Sequence, residues 1–228
     1  MESDPAEVKF EQRNMSSVHQ TKNVELRTPN IEQRWERFER KFFVSPEKTA
    51  FARILLSHIC LRDSKYPQGR INSLYFDTPD LDNFQKSDDG SYEREKIRIR
   101  WYDGSNKHNG VVPVYLELKS KRGFASRKQR RQILVPAERL NKIRFNNTII
   151  NRNLILQTLS EFGYFSQDSL LPVILITYER FRFVDTLTST RLSFDWKVSS
   201  MLTAPGIGYS EAQLILQGGI IEIKGPSM

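Results

Sequence analysis

The 228-residue chain has one cysteine, Cys60, and three histidines, His19, His58 and His108. A single cysteine excludes an intrachain disulfide framework and a cysteine-rich zinc site, and it fits a reducing compartment. The histidines stand far apart in no metal-binding spacing, which argues against a histidine-based metal centre. No apolar run approaches the length of a membrane span, and the Met-Glu-Ser-Asp start lacks the basic and apolar regions of a signal peptide. A cytoplasmic protein is expected. Also absent are a Walker A sequence and, beyond Gly206-Ile207-Gly208, the rest of a dinucleotide fingerprint.

What the chain does have is positive charge. Its 35 Lys and Arg outnumber 27 Asp and Glu, for a net +8. The partner or substrate is therefore expected to be anionic, and nucleic acid, nucleotide and polyphosphate all qualify.

The charge is patterned. Lys96, Arg98 and Arg100 alternate with Ile97, Ile99 and Trp101, which on a strand gives one cationic and one apolar face. Arg70 to Asp77, with Ile71, Leu74, Tyr75 and Phe76, reads as a strand, and the same alternation recurs from Trp35 through Glu39 and Lys41 and in Val112 to Lys121 with Tyr115, Glu117 and Lys119 on one face. It continues in Ser126 to Val135 with Lys128 and Arg130, in Pro172 to Val184 with Tyr178, Arg180 and Arg182, in Arg191, Ser193, Asp195 and Lys197, and in Glu222 and Lys224.

These segments make about eight strands. Helices are expected from Ser45-Pro46 through Ile59, from Thr78-Pro79 to Lys86, from Pro136 to Ile143 and from Ile149 to Phe162. In the first, Phe51, Ile54, Leu55, His58 and Ile59 form the stripe expected to face the core, with His58 a packed core histidine and Cys60 buried. Residues 1–33 are polar without sustained periodicity and are expected to be a mobile tail, leaving 34–228 as one domain.

If the apolar strand faces packed inward, the amphipathic helices would have nothing to cover. A sheet closed into a barrel with its charges in the lumen leaves an apolar exterior for the helices. The expected fold is therefore α+β: a closed antiparallel eight-stranded barrel with a charged lumen and helices packed outside. So many enclosed cations with fewer carboxylates call for a polyanionic ligand.

Seven segments, in order, carry a resemblance. They are Phe38-Glu39-Arg40-Lys41-Phe42, Ser73-Leu74-Tyr75-Phe76-Asp77-Thr78, Lys96-Ile97-Arg98-Ile99-Arg100, Leu116-Glu117-Leu118-Lys119, Arg127-Lys128-Gln129-Arg130, Arg191-Leu192-Ser193-Phe194-Asp195 and Ile221-Glu222-Ile223-Lys224. Together they resemble the VTC domain, the catalytic module of vacuolar transporter chaperone polyphosphate polymerases, in the CYTH-like triphosphate tunnel metalloenzyme superfamily.

The resemblance implies a triphosphate tunnel in which the γ-phosphate of ATP passes to a growing polyphosphate chain, with Mn2+ or Mg2+ bound by glutamates. It implies phosphate binding by Lys41, Arg98, Arg100, Lys119, Lys128, Arg130 and Arg191. Arg98, Arg100, Lys119 and Glu222 are the expected catalytic group. Glu222 is the expected main metal ligand, with Glu39 and Glu117 either making a second metal contact or orienting neighbouring lysines.

The expected partners are ATP or another triphosphate and inorganic polyphosphate, without a specific nucleic acid. A membrane-bound partner is compatible with the absence of a span. Other readings are a hydrolytic or cyclising tunnel enzyme (inorganic or thiamine triphosphatase, adenylyl cyclase) and a non-catalytic polyphosphate or RNA binder. After Lys224 the sequence ends at Gly225-Pro226-Ser227-Met228, where the resemblance implies a further helix and a lysine-bearing segment. That contribution to the tunnel mouth is expected to be missing.

Overall fold

Alternating charged and apolar residues build most of this molecule, and each alternating segment is a strand. The computed structural model describes residues 30–32, 38–104, 110–123, 125–140, 150–166, 168–203 and 213–225. In chain order these form β1 (Asn30–Glu32), β2 (Phe38–Val44), α1 (Thr49–Ile59, entered through a 3-10 turn at Pro46–Lys48), β3 (Leu61–Arg62), β4 (Gln68–Asp77) and α2 (Asp82–Asp88). There follow β5 (Glu93–Tyr102), β6 (Val111–Arg122), β7 (Ala125–Pro136), α3 (Ala137–Leu140), α4 (Arg152–Glu161), β8 (Leu171–Val184), β9 (Arg191–Leu202), β10 (Gln213–Ile215) and β11 (Gly219–Gly225).

All strands join one antiparallel sheet in the order β1-β7-β6-β5-β4-β8-β9-β11-β2, with β10 on β9 and β3 on β8. The eight expected strands are present. The short strands β1, β3 and β10 were not legible, being too short for alternation to register. Residues 30–32 fall within the expected tail but pair with Lys128–Arg130 of β7. The rest of that tail, and the end of the third expected helix beyond Leu140, lie outside the described residues.

Closure of the barrel is not shown by the strand ladders. Among the described residues no hydrogen-bonded ladder joins β2 to β7, so the sheet is not closed by hydrogen bonds. It does curl. β1 sits on β7 and β2 sits on β11, at opposite ends of the strand order, yet only six residue steps separate Glu32 from Phe38. Six steps reach at most about 22 Å. A flat sheet would put those two strands about 38 Å apart at the usual inter-strand spacing, so the two ends must approach one another.

The two faces differ as the alternation requires. On one face Leu74, Phe76, Ile97, Ile99, Trp101, Val114, Leu116, Leu118, Ile133 and Val135 are buried under Ile155, Leu159 and Phe162, from α4 and its end. Arg131, on this same apolar face, reaches α4 through Thr158 and an ion pair with Glu161. Further round the sheet Phe183 and Phe194 are buried under Leu56 and Cys60 at α1. The opposite face carries the charges.

The α1 stripe differs from expectation. Ala52 and Leu56 face the sheet, with the Arg53 guanidinium 5.6 Å from the Phe181 and Trp196 rings. Phe51, Ile54, Leu55 and Ile59 are exposed. The bulk of Phe181, Phe194 and Trp196 fills the space beneath, and a small residue at 52 lets the helix approach. His58 is likewise exposed, its Nδ1 2.8 Å from the Ile54 carbonyl oxygen, whereas Cys60 is buried as expected.

The Arg191-to-Lys197 alternation also breaks. Lys197 has φ +49° beside a register shift, and its amine pairs with Glu179 instead of joining Asp195. No helix among the described residues is long and apolar enough to cross a membrane.

Candidate functional site

Register decides which charged side chains meet. β5, β6 and β7 pair so that Arg98 lies opposite Glu117 and Glu117 opposite Arg130, while Lys96, Lys119 and Lys128 stand abreast one step along. Glu117 is nearly inaccessible, with 2% of its side chain exposed. Arg98 donates from Nε to its Oε2 at 2.8 Å and approaches the same oxygen through Nη2 at 2.7 Å. Lys128 Nζ lies 2.8 Å and Arg130 Nε 3.5 Å from Oε1. Burial works to raise the Glu117 pKa, but Arg98, then Lys128 and Arg100, outweigh it and hold the carboxyl at about 2.

The surrounding hydroxyls steer the arginines. Arg98 Nη1 donates to Tyr75 Oη at 3.0 Å, and Arg100 Nε donates to Ser73 Oγ at 3.0 Å. Arg100 also reaches across β4 to Tyr178 on β8, Nη2 to Oη 3.4 Å. The Arg130 guanidinium lies 3.6 Å from the Tyr115 ring centre. Burial would raise the Tyr75 pKa, yet Arg98 and Arg100 lower it. Lys128 loses basicity through burial, against the pull of Glu117.

A second cluster occupies the strands on the other side of β4. Gly218 (φ +122°) and Gly219 lead the chain into β11, where a Cβ on Gly219 would stand 2.6 Å from the Phe194 ring. This close approach sets Glu222 opposite Lys41 on one side and Ser193 on the other.

Glu222 Oε1 is 3.1 Å from Lys224 Nζ and 3.8 Å from Lys41 Nζ, and Oε2 is 3.1 Å from Arg180 Nη2. Arg180 grips both oxygens of Asp195 at 2.6 Å. Lys41 also approaches Glu39, 3.6 Å away. Burial would raise the Glu222 pKa, but a hydrogen bond with Glu39 and the charges of Arg180, Lys224 and Lys41 depress it strongly.

These contacts bear on a divalent metal, which the resemblance implies. Glu39 and Glu222 have adjoining carboxyls, bridged by the exposed Lys41. Two carboxylates completed by water and substrate phosphate are a usual setting for Mg2+, so this pair fits. Among the described residues no three His, Cys, Asp or Glu side chains group to enclose a metal alone. Glu117 does not fit the metal role, because Arg98, Lys128 and Arg130 surround it and, among the described residues, no second carboxylate adjoins it to share an ion. Of the two roles expected for it, orienting its neighbours agrees with the geometry.

The expected site residues thus divide. Arg98, Arg100, Lys128, Arg130 and Glu117 form one cluster; Lys41, Glu39 and Glu222 belong to another. Lys119 is exposed beside Lys96 and Lys128. Arg191 is exposed at the end of β9, in register with Lys224. Ser73, Tyr75, Tyr115 and Arg180 were not among the expected site residues, yet each contacts one that was, and Asp195 contacts Arg180; the last two were expected on the charged face but given no role. Their signal was strand register, which a single sequence does not display.

No curated protein matches the chain by sequence. Solved structures resemble it at low identity. One is a candidate adenylate cyclase from Bacillus halodurans, at 18% identity, covering 84% of this chain and 81% of that one, with TM-score 0.48. Another is a candidate adenylyl cyclase from Hippeastrum with a dominant triphosphatase activity, at 17% identity, 82% and 79% coverage and TM-score 0.43. A third is a candidate adenylate cyclase from Vibrio parahaemolyticus, at 9% identity, 85% and 78% coverage and TM-score 0.44. The sequence model of the VTC domain matches residues 36–225, from just before β2 to the last residue of β11. That span takes in both charged clusters and every strand that builds them, and the chain belongs to the VTC domain family.

Proposed function

We propose that this domain is a metal-dependent polyphosphate polymerase that transfers the γ-phosphate of ATP to a growing inorganic polyphosphate chain along its charged face. The observation that carries the reading is the cluster at Glu117, where Arg98, Lys128 and Arg130 share one buried carboxylate. Positive charge there exceeds what the protein neutralises, so an anion of high charge density gains most at that place.

Phosphoryl transfer asks for in-line positioning and for stabilisation of charge spread over the phosphoryl oxygens, with no covalent nucleophile from the protein. Arg98 and Arg100 present guanidinium forks, which match phosphate oxygens in pairs. Ser73, Tyr75 and Tyr178 hold them in place. Lys128 and Arg130 add point charge and a third fork from β7, on the far side of β6. Lys119 and Arg191, exposed, would meet the parts of a long chain that extend past the cluster. Glu222 and Glu39 would hold Mn2+ or Mg2+, which supplies charge neutralisation at the phosphate oxygens when bound.

Incubation of the purified protein with ATP and Mn2+, followed by a gel stained for polyphosphate, tests the reading. A ladder of long anionic product is the expected outcome. Release of inorganic phosphate without polymer would replace polymerisation by hydrolysis, and cyclic AMP would replace it by cyclisation.

A further inference from the structure

The apolar face of the sheet is covered unevenly. α4 lies over β4 to β7, and α1 lies over β8 and β9. Beyond α1 the same face continues on β11 and β2, and there the cover runs out. One row across three paired strands records the change: Phe194 is fully buried, Ile221 beside it is half-buried, and Phe42 beside that is 48% exposed.

α1 and these two strands bound a groove of about 400 Å³, with Val44 and Ile221 on its floor and Lys48, Phe51 and Leu55 on its helix side. Phe51 and Leu55 are 65% and 43% exposed. Two strands are about 10 Å wide, and a helix lies about 8–10 Å from a helix it packs against. The uncovered strip beside α1 is therefore one helix wide.

Charge around the groove has one sign. From Lys48 through Arg53 to Arg62 the chain has no Asp or Glu, and Arg40 stands exposed on the same face of β2 as Phe42. A second copy of this +8 chain would bring a like-charged strip against this one. A flat bilayer would reach the crest of α1 and miss Val44 and Ile221 beneath it. A helix reaches both levels, laying its apolar stripe on floor and wall and turning acidic flanks toward Lys48 and Arg40.

We propose that the groove between α1 and the β11–β2 strip docks an amphipathic helix of a partner protein, apolar along one side and acidic on its flanks. The docked helix completes the helical layer that α4 and α1 begin. It lies on the opposite face of the sheet from the charged clusters, so the docking site and the phosphate site are separate surfaces.

Fluorescence anisotropy of a labelled synthetic peptide tests this on the full chain. About 16 residues of helix match the length of β2, about 24 Å for its seven residues. The probe carries leucines at helical spacing on one side and glutamates flanking them. It should bind about tenfold tighter than a peptide of the same composition with the stripe scrambled, and tighter than a counterpart with lysine for glutamate. Phe51→Ser combined with Leu55→Ser should weaken it about tenfold, the range expected when apolar anchors are removed. Lys48→Glu should weaken the acidic probe and strengthen the lysine one. Phe84→Ser, at an exposed phenylalanine on α2, should change neither.

Both serine substitutions fall on exposed side chains, so an unchanged melting temperature is expected. If the double variant loses its cooperative melt, the reversal of preference in Lys48→Glu decides. Equal binding of striped and scrambled peptides would overturn the proposal, as would undiminished binding by the folded double variant. A wild-type dimer in sedimentation that Phe51→Ser with Leu55→Ser makes monomeric would overturn it in favour of a second copy. Flotation with phosphatidylcholine–phosphatidylserine vesicles, lost in the same variant, would overturn it in favour of a bilayer.

Discussion

Glu117 and Glu222 are both buried carboxylates on the charged face, and each has three cations within 4 Å, but their surroundings balance differently. Around Glu117 the three cations, Arg98, Lys128 and Arg130, share that single carboxylate. Around Glu222 the three cations, Lys41, Arg180 and Lys224, also contact Glu39 and Asp195, so positive and negative charges match in number. The first cluster has positive charge to spare and suits phosphate. The second brings the carboxyls of Glu39 and Glu222 together among matching cations, and that pair suits a divalent ion. On the proposed reading, one sheet carries both the phosphate-binding and the metal-binding side of the site by changing the ratio of carboxylate to cation from strand to strand.

The largest expected effect breaks the first cluster. Glu117→Gln removes the carboxylate that Arg98, Lys128 and Arg130 share, and loss of one partner from a buried ionic group costs about 3–5 kcal/mol. Urea unfolding should show this loss, and saturating tripolyphosphate should recover part of it by binding only the folded state.

The same contact sets a pH dependence. The Glu117 pKa is lowered in the fold from 4.5 to about 2, so its stabilisation is full above about pH 4.5 and is lost as pH falls toward 2. A wild-type stability curve no steeper over that window than that of Glu117→Gln would remove the ionic account.

Next in size is Glu222→Gln. If the second cluster holds the metal, Mn2+-dependent turnover should fall by about a hundredfold, the order expected when a strong electrostatic contribution to the transition state is lost. Triphosphate binding without metal should change little. Full activity would place the metal elsewhere and undo the contrast between the clusters. Arg100→Ala should lower triphosphate affinity by roughly ten- to a hundredfold, the range of one or two charge-assisted hydrogen bonds. Its present partners are the hydroxyls of Ser73 and Tyr178, so stability should change less than in Glu117→Gln. Unchanged affinity in calorimetry would take Arg100 out of the site.

Period-2 alternation is a strong signal because a strand must send neighbouring side chains to opposite faces. For that reason Lys96–Trp101, Leu116–Lys119 and Ile221–Lys224 disclosed both their strands and which residues face the charges. Alternation says nothing about which strand lies beside which. The pairing of β4 with β8, which brings Tyr178 to Arg100, and of β8 with β9, which brings Arg180 to Asp195, became visible only with the register. The α1 stripe misled because four apolar residues, with His58 among them, recur at helical spacing on a side the sheet does not cover. Ala52, small and inconspicuous in the sequence, marks the covered side. Lys197 departed from its alternation through a positive φ, which no pattern of residue types announces.

The smallest expected effect separates buried from exposed cations. Lys119 is exposed and stands directly between Lys96 and Lys128 in register, while Arg98 is mostly covered and held by Glu117. Like charges abreast on a sheet destabilise by roughly 0.2–1 kcal/mol, and exposed charges are screened beyond a Debye length of about 8 Å at physiological salt. Lys119→Met should therefore raise stability by a few tenths of a kcal/mol. It should weaken long-chain polyphosphate binding only a few-fold at low salt, with the difference vanishing as salt is raised. Binding measured at two salt concentrations, for Lys119→Met and Arg100→Ala side by side, makes the contrast quantitative. A salt-independent loss as large as that of Arg100→Ala would mean that Lys119 turns inward to grip phosphate when the chain is bound, and the lysine row would then belong with the Glu117 cluster.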